Sequence, residues 1–389
     1  MSSRVTVLLA VHNGGAYLSD AVTSVLAQTF EDFELLLVDD ASTDEAVDSL
    51  PTDPRIRVLR NDRNLGQIAS LNRGLAEAKG EYVARLDHDD LCLPRRLERQ
   101  VEALDRDPSV ALVSTWVDIV GEDGRLWFPM RGSIHSYVDF LARVLIDDLP
   151  LAHPAIMFRR EIVRELGGYD ESLGAAEDKD LYRRIALSGK SAYVVPELLV
   201  IYRRHAAQMT FAKAEMVNRN DEIGHDRFLA ELAPGLPSTT IRMLLTSDER
   251  FWEQKPLSAD ALDCLVTAAA QRQSLSPADT LELERTIAAR AARTLVGGWA
   301  SGTRNYARSA RQIAAFVGAR GSRMSKVSLA LQPLLQSTTP LGRRVGGARR
   351  AMRRVLRHSE LERLRRVARR SRTLRRIYTK TLGFRLTDD

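Results

Sequence analysis

The chain has 389 residues, 44% of them hydrophobic and 28% charged, which excludes a disordered protein and leaves room for two domains or one large domain with appendages. Its two cysteines argue against a disulfide framework and a cysteine-based zinc site, and no window approaches the ~20 apolar residues that span a bilayer, so we expect a cytoplasmic protein. The net charge of +6 is uneven, because residues 343–389 carry 17 Lys and Arg against four Asp and Glu, which leaves the remainder at −7.

Strand and helix patterns alternate along the first 120 residues. The first apolar run, Val5–Val11, is seven residues long and lacks a small-residue cleavage site, so it predicts a strand and not a signal peptide. The further predicted strands are Phe33–Asp40, Arg55–Asn61, Glu81–Asp87 and Val110–Val120. The predicted helices are Ala16–Gln28, a short one capped by Ser42 or Thr43, Gln67–Lys79 and Pro94–Asp105. This alternation predicts an α/β fold, with a mostly parallel sheet covered by helices on both faces.

Strand signals continue to about Met209 and then stop. We therefore expect one domain over residues 1–209, with two halves at 1–95 and 96–209. Residues 210–340 are typical of a helical extension, and residues 341–389 form an arginine-rich tail with an apolar stripe at helical spacing.

Four polar clusters fall at the carboxyl ends of predicted strands, where open parallel sheets bind ligands: Asn13, Asp39–Asp40, Asn61–Asn64 and Asp87–Asp90. In the last cluster, Asp87 and Asp89 lie on the same side of an extended segment. Two such carboxylates suit Mg²⁺ or Mn²⁺, with a substrate pyrophosphate completing the coordination shell. An isolated acidic triplet is more often a solvated helix cap, but the preceding buried strand and the other three clusters favour the metal site.

The other polar clusters each allow two interpretations. Asp39 and Asp40 fit either contact with a ribose or base edge, or capping of the next helix. Asn64 and Arg73 fit either a phosphate site at a helix start or an ordinary turn.

Two candidates lie further along the chain. Glu177 and Asp178 are either dipole-stabilising groups at a helix start, or include a general base facing an incoming hydroxyl. His205 ends the last extended segment and is either structural or joins Asp89 at a metal or pyrophosphate.

Taken in order, these residues resemble the family 2 glycosyltransferases with the GT-A fold. The matching motifs are LLAVHNGGAYL, LLLVDDAST, NLGQIASLNRGL, ARLDHDD, GAAEDKDLYRRI and YRRH. They cover roughly residues 4–206, and although each is weak alone, the ordered set is specific. Two departures are His12, where the family more often has Tyr, and the absence of a QxxRW motif, which argues against a processive polysaccharide synthase.

The resemblance implies that residues 1–95 are the nucleotide-sugar half of the domain and residues 96–209 the acceptor half, and it implies a role for each matching position. The nucleotide-sugar side comprises Val11, Asn13, Asp39, Asp40, Asn64, Arg73, Asp87 and His88. Asp87 and Asp89 are the DxD pair that holds Mn²⁺ or Mg²⁺, with Asp89 the direct ligand and His205 beside the metal–diphosphate end. Asp178 matches the catalytic base, and we assign Glu177 and His153 to the acceptor side.

The implied activity is inverting transfer of a single sugar from a nucleotide-diphosphate sugar, UDP or dTDP being favoured. The acceptor is a glycan or lipid-linked molecule in cell-surface polysaccharide or glycoconjugate assembly. The cation stabilises the leaving diphosphate, and Asp178 takes the proton of the attacking hydroxyl. A single direct displacement, with an oxocarbenium-like transition state, inverts the anomeric carbon.

Other functions remain as alternatives. The main one is a catalytically silent nucleotide-sugar or membrane-binding partner of a glycan assembly complex, which the intact Asp89 and Asp178 oppose. A pyrophosphorylase would need a glycine-rich phosphate loop after the first strand, and a dinucleotide oxidoreductase a GxGxxG motif; neither is present.

The basic tail fits three partners. An anionic membrane surface, at the inner face of the plasma membrane, is favoured over packing on the protein itself and over nucleic acid, which we consider unlikely.

Overall fold

The computed structural model describes residues 3–205, 208, 214–234 and 259–287. The chain divides into two compact units, residues 1–232 and 233–389. The predicted tail (341–389) and most of the predicted helical extension (210–340) lie outside the described residues.

Nine strands of the first unit form one sheet. The strands are β1 (Val5–Val11), β2 (Phe33–Asp39), β3 (Ile56–Arg60), β4 (Tyr82–Arg85), β5 (Leu91–Cys92), β6 (Val110–Gly121), β7 (Leu126–Met130), β8 (Met157–Arg159) and β9 (Ser191–Arg204). Their order is β3-β2-β1-β4-β8-β6-β9-β5, with β7 beside β6. The first four of this order pair in parallel, as does β6 with β9, whereas β8 runs antiparallel to β4 and β6.

The helices of the first unit alternate with these strands. They are α1 (Gly15–Leu26), α2 (Gln67–Glu77), α3 (Arg96–Arg106), α4 (Tyr137–Leu145), α5 (Arg160–Glu165), α6 (Glu177–Leu187) and α7 (Ala214–Leu232), with a 3-10 turn at His153–Ala155. The predicted α/β architecture is confirmed.

The core explains why the strands are continuously apolar. On β1, Val7 and Leu9 pack in one cluster with α1 and α3, whereas Leu8 faces α2 on the other side of the sheet. All seven residues of β1 are buried. A strand covered on both faces has no solvent-facing positions, so its sequence does not alternate.

Strand register places the polar clusters on one edge. Asp39 at the end of β2 lies beside Val11 at the end of β1 and Arg60 at the end of β3. Arg85 ends β4 next to Leu8 of β1. The carboxyl ends of β1 to β4 therefore lie along one edge of the sheet, as predicted, and we call this edge the rim.

Several elements differ from the sequence prediction. Residues 41–50 form turns and not a short helix. Residues 191–197 and 198–205 each have the pattern of a short extended segment, but the structure joins them in one strand, β9, paired with β6 along its length. Strand β7 and helix α4 were not predicted, and neither was the antiparallel insertion of β8. Such long-range pairing leaves no mark on local periodicity.

The second unit is described over two helices, α8 (Ala259–Arg272) and residues 277–287. Leu265, Ala269, Leu283 and Ile287 are buried. Among the residues described in either unit, no helix is long and apolar enough to cross a membrane.

Candidate active site

Asn13 organises the first loop of the rim. Its backbone is left-handed (φ 56°), which Asn tolerates better than most residues. Its side-chain oxygen accepts hydrogen bonds from the backbone N–H of Thr43 (2.8 Å) and Asp44 (3.3 Å), and its own N–H donates to Ser42 Oγ (3.0 Å). Asn13 is exposed, and Val11, two residues before it, is buried. Their predicted contacts with the nucleotide stay predictions.

The two carboxylates after β2 are both buried, 2% exposed for Asp39 and 3% for Asp40. Asp39 accepts hydrogen bonds from the Ser42 N–H (2.9 Å) and from Arg60 Nη1 (3.0 Å). It therefore ties the 41–44 turn to the neighbouring strand.

Asp40 holds the next loop of the rim. It accepts hydrogen bonds from Asn61 Nδ2 (2.6 Å) and from the N–H groups of Leu65 and Gly66 (both 2.8 Å). Burial alone would raise the pKa of Asp40, but these bonds and one with Ser70 outweigh it and lower the pKa. Asp40 is thus an ionised carboxylate that fixes the loop ahead of α2.

Asn64 lies in the same loop, and Arg73 lies on α2 directly after it. Arg73 donates to the Arg60 carbonyl (2.7 Å) and to Asn61 Oδ1, and Asn64 Oδ1 accepts from the Gly66 N–H (3.1 Å). Both side chains are exposed. Their predicted contacts with the nucleotide diphosphate stay predictions.

Three carboxylates cluster after β4. One oxygen from each of Asp87, Asp89 and Asp90 lies within 4.8 Å of the others. Asp90 is fully buried, and while its Oδ1 accepts the Arg203 N–H (2.8 Å), its buried Oδ2 has no hydrogen-bond partner among the described residues. A hard divalent cation would satisfy a buried carboxylate that has an unpartnered oxygen and two further carboxylates nearby, so these residues fit Mg²⁺ or Mn²⁺.

Sequence reasoning gave Asp90 no role beyond starting the next turn. Burial first, and then the charges of Asp87 and Asp89, raise the pKa of Asp90 well above its usual range. His88, half-buried, lies between the other two acids in sequence. The cluster therefore holds a third carboxylate beside the predicted pair, and the burial of Asp90 is the feature that the sequence could not show.

His205 is brought to Asp89 as the sequence predicted. Its Nε2 lies 2.8 Å from Asp89 Oδ2, and its ring stacks on Tyr17 with centroids 5.1 Å apart. Gln208, which sequence reasoning missed, donates to the same oxygen (3.2 Å). No motif marked Gln208, because its contact depends on where the chain goes after β9.

Arg85 is the second residue that the sequence reasoning missed. Its side chain is 1% exposed and its Nη2 contacts Asp87 Oδ1, while its Nε and Nη1 have no hydrogen-bond partner among the described residues. A buried guanidinium is costly unless nearby charge compensates it. Its position inside the apolar run YVARLD was the available signal, since a charged residue in a buried strand needs a partner.

The residues predicted to lie on the acceptor side gather at the start of α6. Helix α6 begins at Glu177, after Ala176 in a left-handed conformation (φ 60°). Glu177 is buried and Asp178 is half-buried. Burial raises the pKa of Glu177 to about 7, helped by the charge of Asp178, and burial likewise raises the pKa of Asp178.

His153 joins this group from the 3-10 turn. Its Nδ1 lies 3.7 Å from Glu177 Oε1 and its Nε2 lies 3.1 Å from the Tyr169 hydroxyl. Burial, and then the charge of Arg85, lower the pKa of His153 to about 3, so the imidazole is neutral. The structure therefore assembles His153, Glu177 and Asp178, all predicted, together with Tyr169, which was not.

A cavity of about 550 Å³ lies between the loop after α5, α6 and α7, with Tyr169 among its lining residues. Asn72, Arg184 and Arg227 also line it, and none of the acidic triad does. Among its charged lining residues, Arg184 pairs with Asp180 and Arg227 with Asp170. The cavity is therefore lined by residues other than the triad.

Comparison with known proteins gives a consistent result. The model of the family "Glycosyl transferase family 2" matches residues 6–167. A Bacillus subtilis protein named as a glycosyltransferase, EpsE, is 33% identical over 205 residues, covering 50% of this chain and 71% of the relative. An uncharacterized glycosyltransferase of Methanocaldococcus jannaschii is 29% identical over 205 residues, covering 51% of this chain and 70% of the relative.

Among solved structures, S. aureus TarS residues 1–349 in complex with UDP-GlcNAc is similar at 15% identity. The TM-score is 0.46, and the alignment covers 90% of each chain.

Proposed function

Because the chain belongs to glycosyl transferase family 2 and is a glycosyltransferase with the GT-A fold, we propose that it transfers one sugar, with inversion, from a nucleotide-diphosphate sugar. The single observation that carries this proposal is the acidic triad on the carboxyl-end rim, in which the buried Oδ2 of Asp90 has no hydrogen-bond partner among the described residues. The loops held by Asn13, Asp39 and Asp40 supply the nucleotide side of the same rim.

Asp87, Asp89 and Asp90 would hold Mn²⁺ or Mg²⁺. When bound, the cation neutralises charge that develops on the departing diphosphate. Arg85 holds Asp87 in place, and His205 and Gln208 hold Asp89. These contacts fix the triad before the donor arrives, so less reorganisation is needed during the reaction.

Asp178 acts as the general base in this proposal. It lies in the first turn of α6, where the helix dipole favours a carboxylate, while burial raises its pKa toward a useful basicity. The acceptor hydroxyl gives its proton to Asp178 as its oxygen bonds to the anomeric carbon and the diphosphate leaves. Glu177 and His153 line the acceptor side.

The donor, acceptor and location extend this proposal. We favour a UDP- or dTDP-sugar as donor and a glycan or lipid-linked molecule as acceptor, in cell-surface polysaccharide or glycoconjugate assembly. The arginine-rich tail supports binding to an anionic membrane surface at the cytoplasmic face, since it carries a net charge of +13.

A panel of nucleotide sugars tests the proposal. We expect one UDP- or dTDP-sugar to raise the melting temperature when Mn²⁺ is present, and to release nucleoside diphosphate. Asp89→Asn should lose the metal-dependent effect, because it removes a charge from the triad, whereas Asp62→Asn, an exposed carboxylate on the same rim, should not. Full donor turnover after exhaustive EDTA treatment would contradict the metal role.

A further inference from the structure

Behind Asp178 lies an ionic lattice formed by Asp147, Lys179, Arg183 and Asp221. Lys179 Nζ bridges Asp147 Oδ2 (2.8 Å) and Asp221 Oδ2 (2.5 Å). Arg183 Nη2 meets the other oxygen of each carboxylate, at 3.5 Å and 2.5 Å. Two cations and two anions alternate, so the lattice is neutral.

The lattice joins three elements at the base-bearing end of α6. Asp147 follows α4, Lys179 and Arg183 lie on α6, and Asp221 lies on α7. Lys179 is the next residue after Asp178, so the lattice clamps the turn that carries the carboxylate.

Two features show that the lattice is more than a surface ion pair. The Arg183 side chain is 3% exposed, and breaking a buried pair leaves an uncompensated charge. Asp147 adopts a left-handed backbone (φ 48°), which costs free energy for a residue other than Gly. Burial alone would raise the pKa of Asp221, yet Arg183 and Lys179 lower it, so the Asp221 carboxylate stays ionised beside its two cations.

Resting on the proposed function, we propose that Asp147, Lys179, Arg183 and Asp221 are positioning residues for Asp178, which fix its carboxylate against α4 and α7 and balance the charge around it. None of the four is assigned to substrate or metal. Their effect reaches the reaction through Asp178 alone.

The charges around Asp178 influence its pKa, so removing one of them should shift that pKa. The groups that act on it, or on which it acts, are Glu177, Lys179, Arg183, Asp221, Tyr169 and Tyr182. Lys179 and Arg183 favour the carboxylate, whereas Asp221 opposes it. Removing a lattice anion or a lattice cation should therefore move the acid limb of the pH profile in opposite directions.

The test compares Asp221→Asn with Lys179→Met, using the UDP- or dTDP-sugar that gives the highest wild-type release of nucleoside diphosphate. We expect kcat to fall about tenfold in each, with the donor KM within about twofold of wild type. The acid limb of kcat should move to lower pH in Asp221→Asn, because an opposing charge is gone. It should move to higher pH in Lys179→Met, because a favourable charge is gone.

Arg227→Gln is the matched control, because it breaks an ion pair with Asp170 (2.9 Å) from the same helix without touching the lattice. It should keep the wild-type pH profile. Thermal stabilisation by UDP with Mn²⁺ shows that each variant is folded, and Lys179, with a side chain 37% exposed, offers a variant that should fold if Asp221→Asn does not.

Two results would overturn the positioning role. One is that the acid limbs of both variants coincide with that of wild type, and the other is that both move in the same direction. In either case the four residues contribute to stability only and do not position Asp178. If wild type itself releases no diphosphate from any donor, the proposed function fails instead, so the two failures are distinguishable.

Discussion

At the scale of single residues, one buried arginine compensates negative charge both at the acidic triad and at the start of α6. Arg85 is buried, and its positive charge acts on Asp87, Glu177 and His153. Carboxylates so close together repel one another unless cations lie near. The guanidinium supplies part of that compensation, and a divalent ion would supply the rest.

Glu177 gives a prediction for stability against pH. Its folded pKa is about 7 and its ordinary value is 4.5, so between these pH values the folded state binds more protons than the unfolded state. Stability from this group is therefore present below pH 4.5 and lost as pH rises through 7. At about 1.4 kcal/mol per pH unit, the free energy of unfolding of Glu177→Gln should rise relative to that of wild type by roughly 3 kcal/mol over that pH range.

Urea unfolding at pH 4.5, 6 and 7.5 measures this difference. Glu171→Gln, which changes an exposed carboxyl, is the control and should follow wild type at each pH. A Glu177→Gln curve parallel to wild type would show that Glu177 titrates normally.

The sequence motifs marked Asp89, Asp178 and His205. The structure places Asp89 in the loop after β4, Asp178 in the first turn of α6 and His205 directly after β9. Arg85, Asp90 and Gln208 were missed, because their roles depend on burial and on contacts across 100 or so residues of chain, as between Gln208 and Asp89 (119 apart).

At the scale of elements, close packing fixes α2 and its loop against the sheet. A Cβ added to Gly74 would lie 2.3 Å from Leu8 Cδ1 and 3.0 Å from Val38 Cγ2. The helix therefore approaches β1 and β2 more closely than a larger residue allows. This proximity places the loop between Asn61 and Gly66 over Asp40.

Gly74→Ala should therefore destabilise the protein despite the higher helix propensity of Ala. Overpacking of this kind costs typically 1–3 kcal/mol, whereas the propensity gain is about 1 kcal/mol. Thermal or urea unfolding against Ala76→Ser, an exposed change on the same helix, measures the difference. A Gly74→Ala protein as stable as wild type would mean that α2 can move outward freely.

The elements predicted best were those whose pattern is local. The parallel strands β1, β2 and β4 read as apolar runs because helices cover both faces. Strand β7 is exposed over most of its length and follows a short turn, so its sequence carried no burial pattern to detect. The direction of β8 is set by its neighbours β4 and β6 and not by its own three residues.

At the scale of the whole molecule, the charge asymmetry yields a prediction for the arginine-rich tail. Residues 343–389 carry +13 on a chain whose remainder carries −7. Each Lys or Arg near an anionic bilayer contributes about 1 kcal/mol. A chain ending at Leu341 should therefore lose binding to liposomes that contain phosphatidylserine.

Co-sedimentation at low and high salt measures the binding. Neutral phosphatidylcholine liposomes are the control and should bind neither protein well. Unchanged binding of the truncated chain to the anionic liposomes would assign membrane affinity to another part of the molecule, or to none.

The central claim is that the rim binds a nucleotide sugar through the triad and that Asp178 activates the acceptor. Its most direct test is Asp178→Asn, measured both for sugar transfer or donor hydrolysis and for binding of the UDP- or dTDP-sugar identified in the panel, with Mn²⁺ present. We predict that turnover falls by about 10³-fold or more while the dissociation constant for the donor stays within about threefold, because the base acts only in the transition state. An Asp178→Asn enzyme with near wild-type turnover would contradict the account.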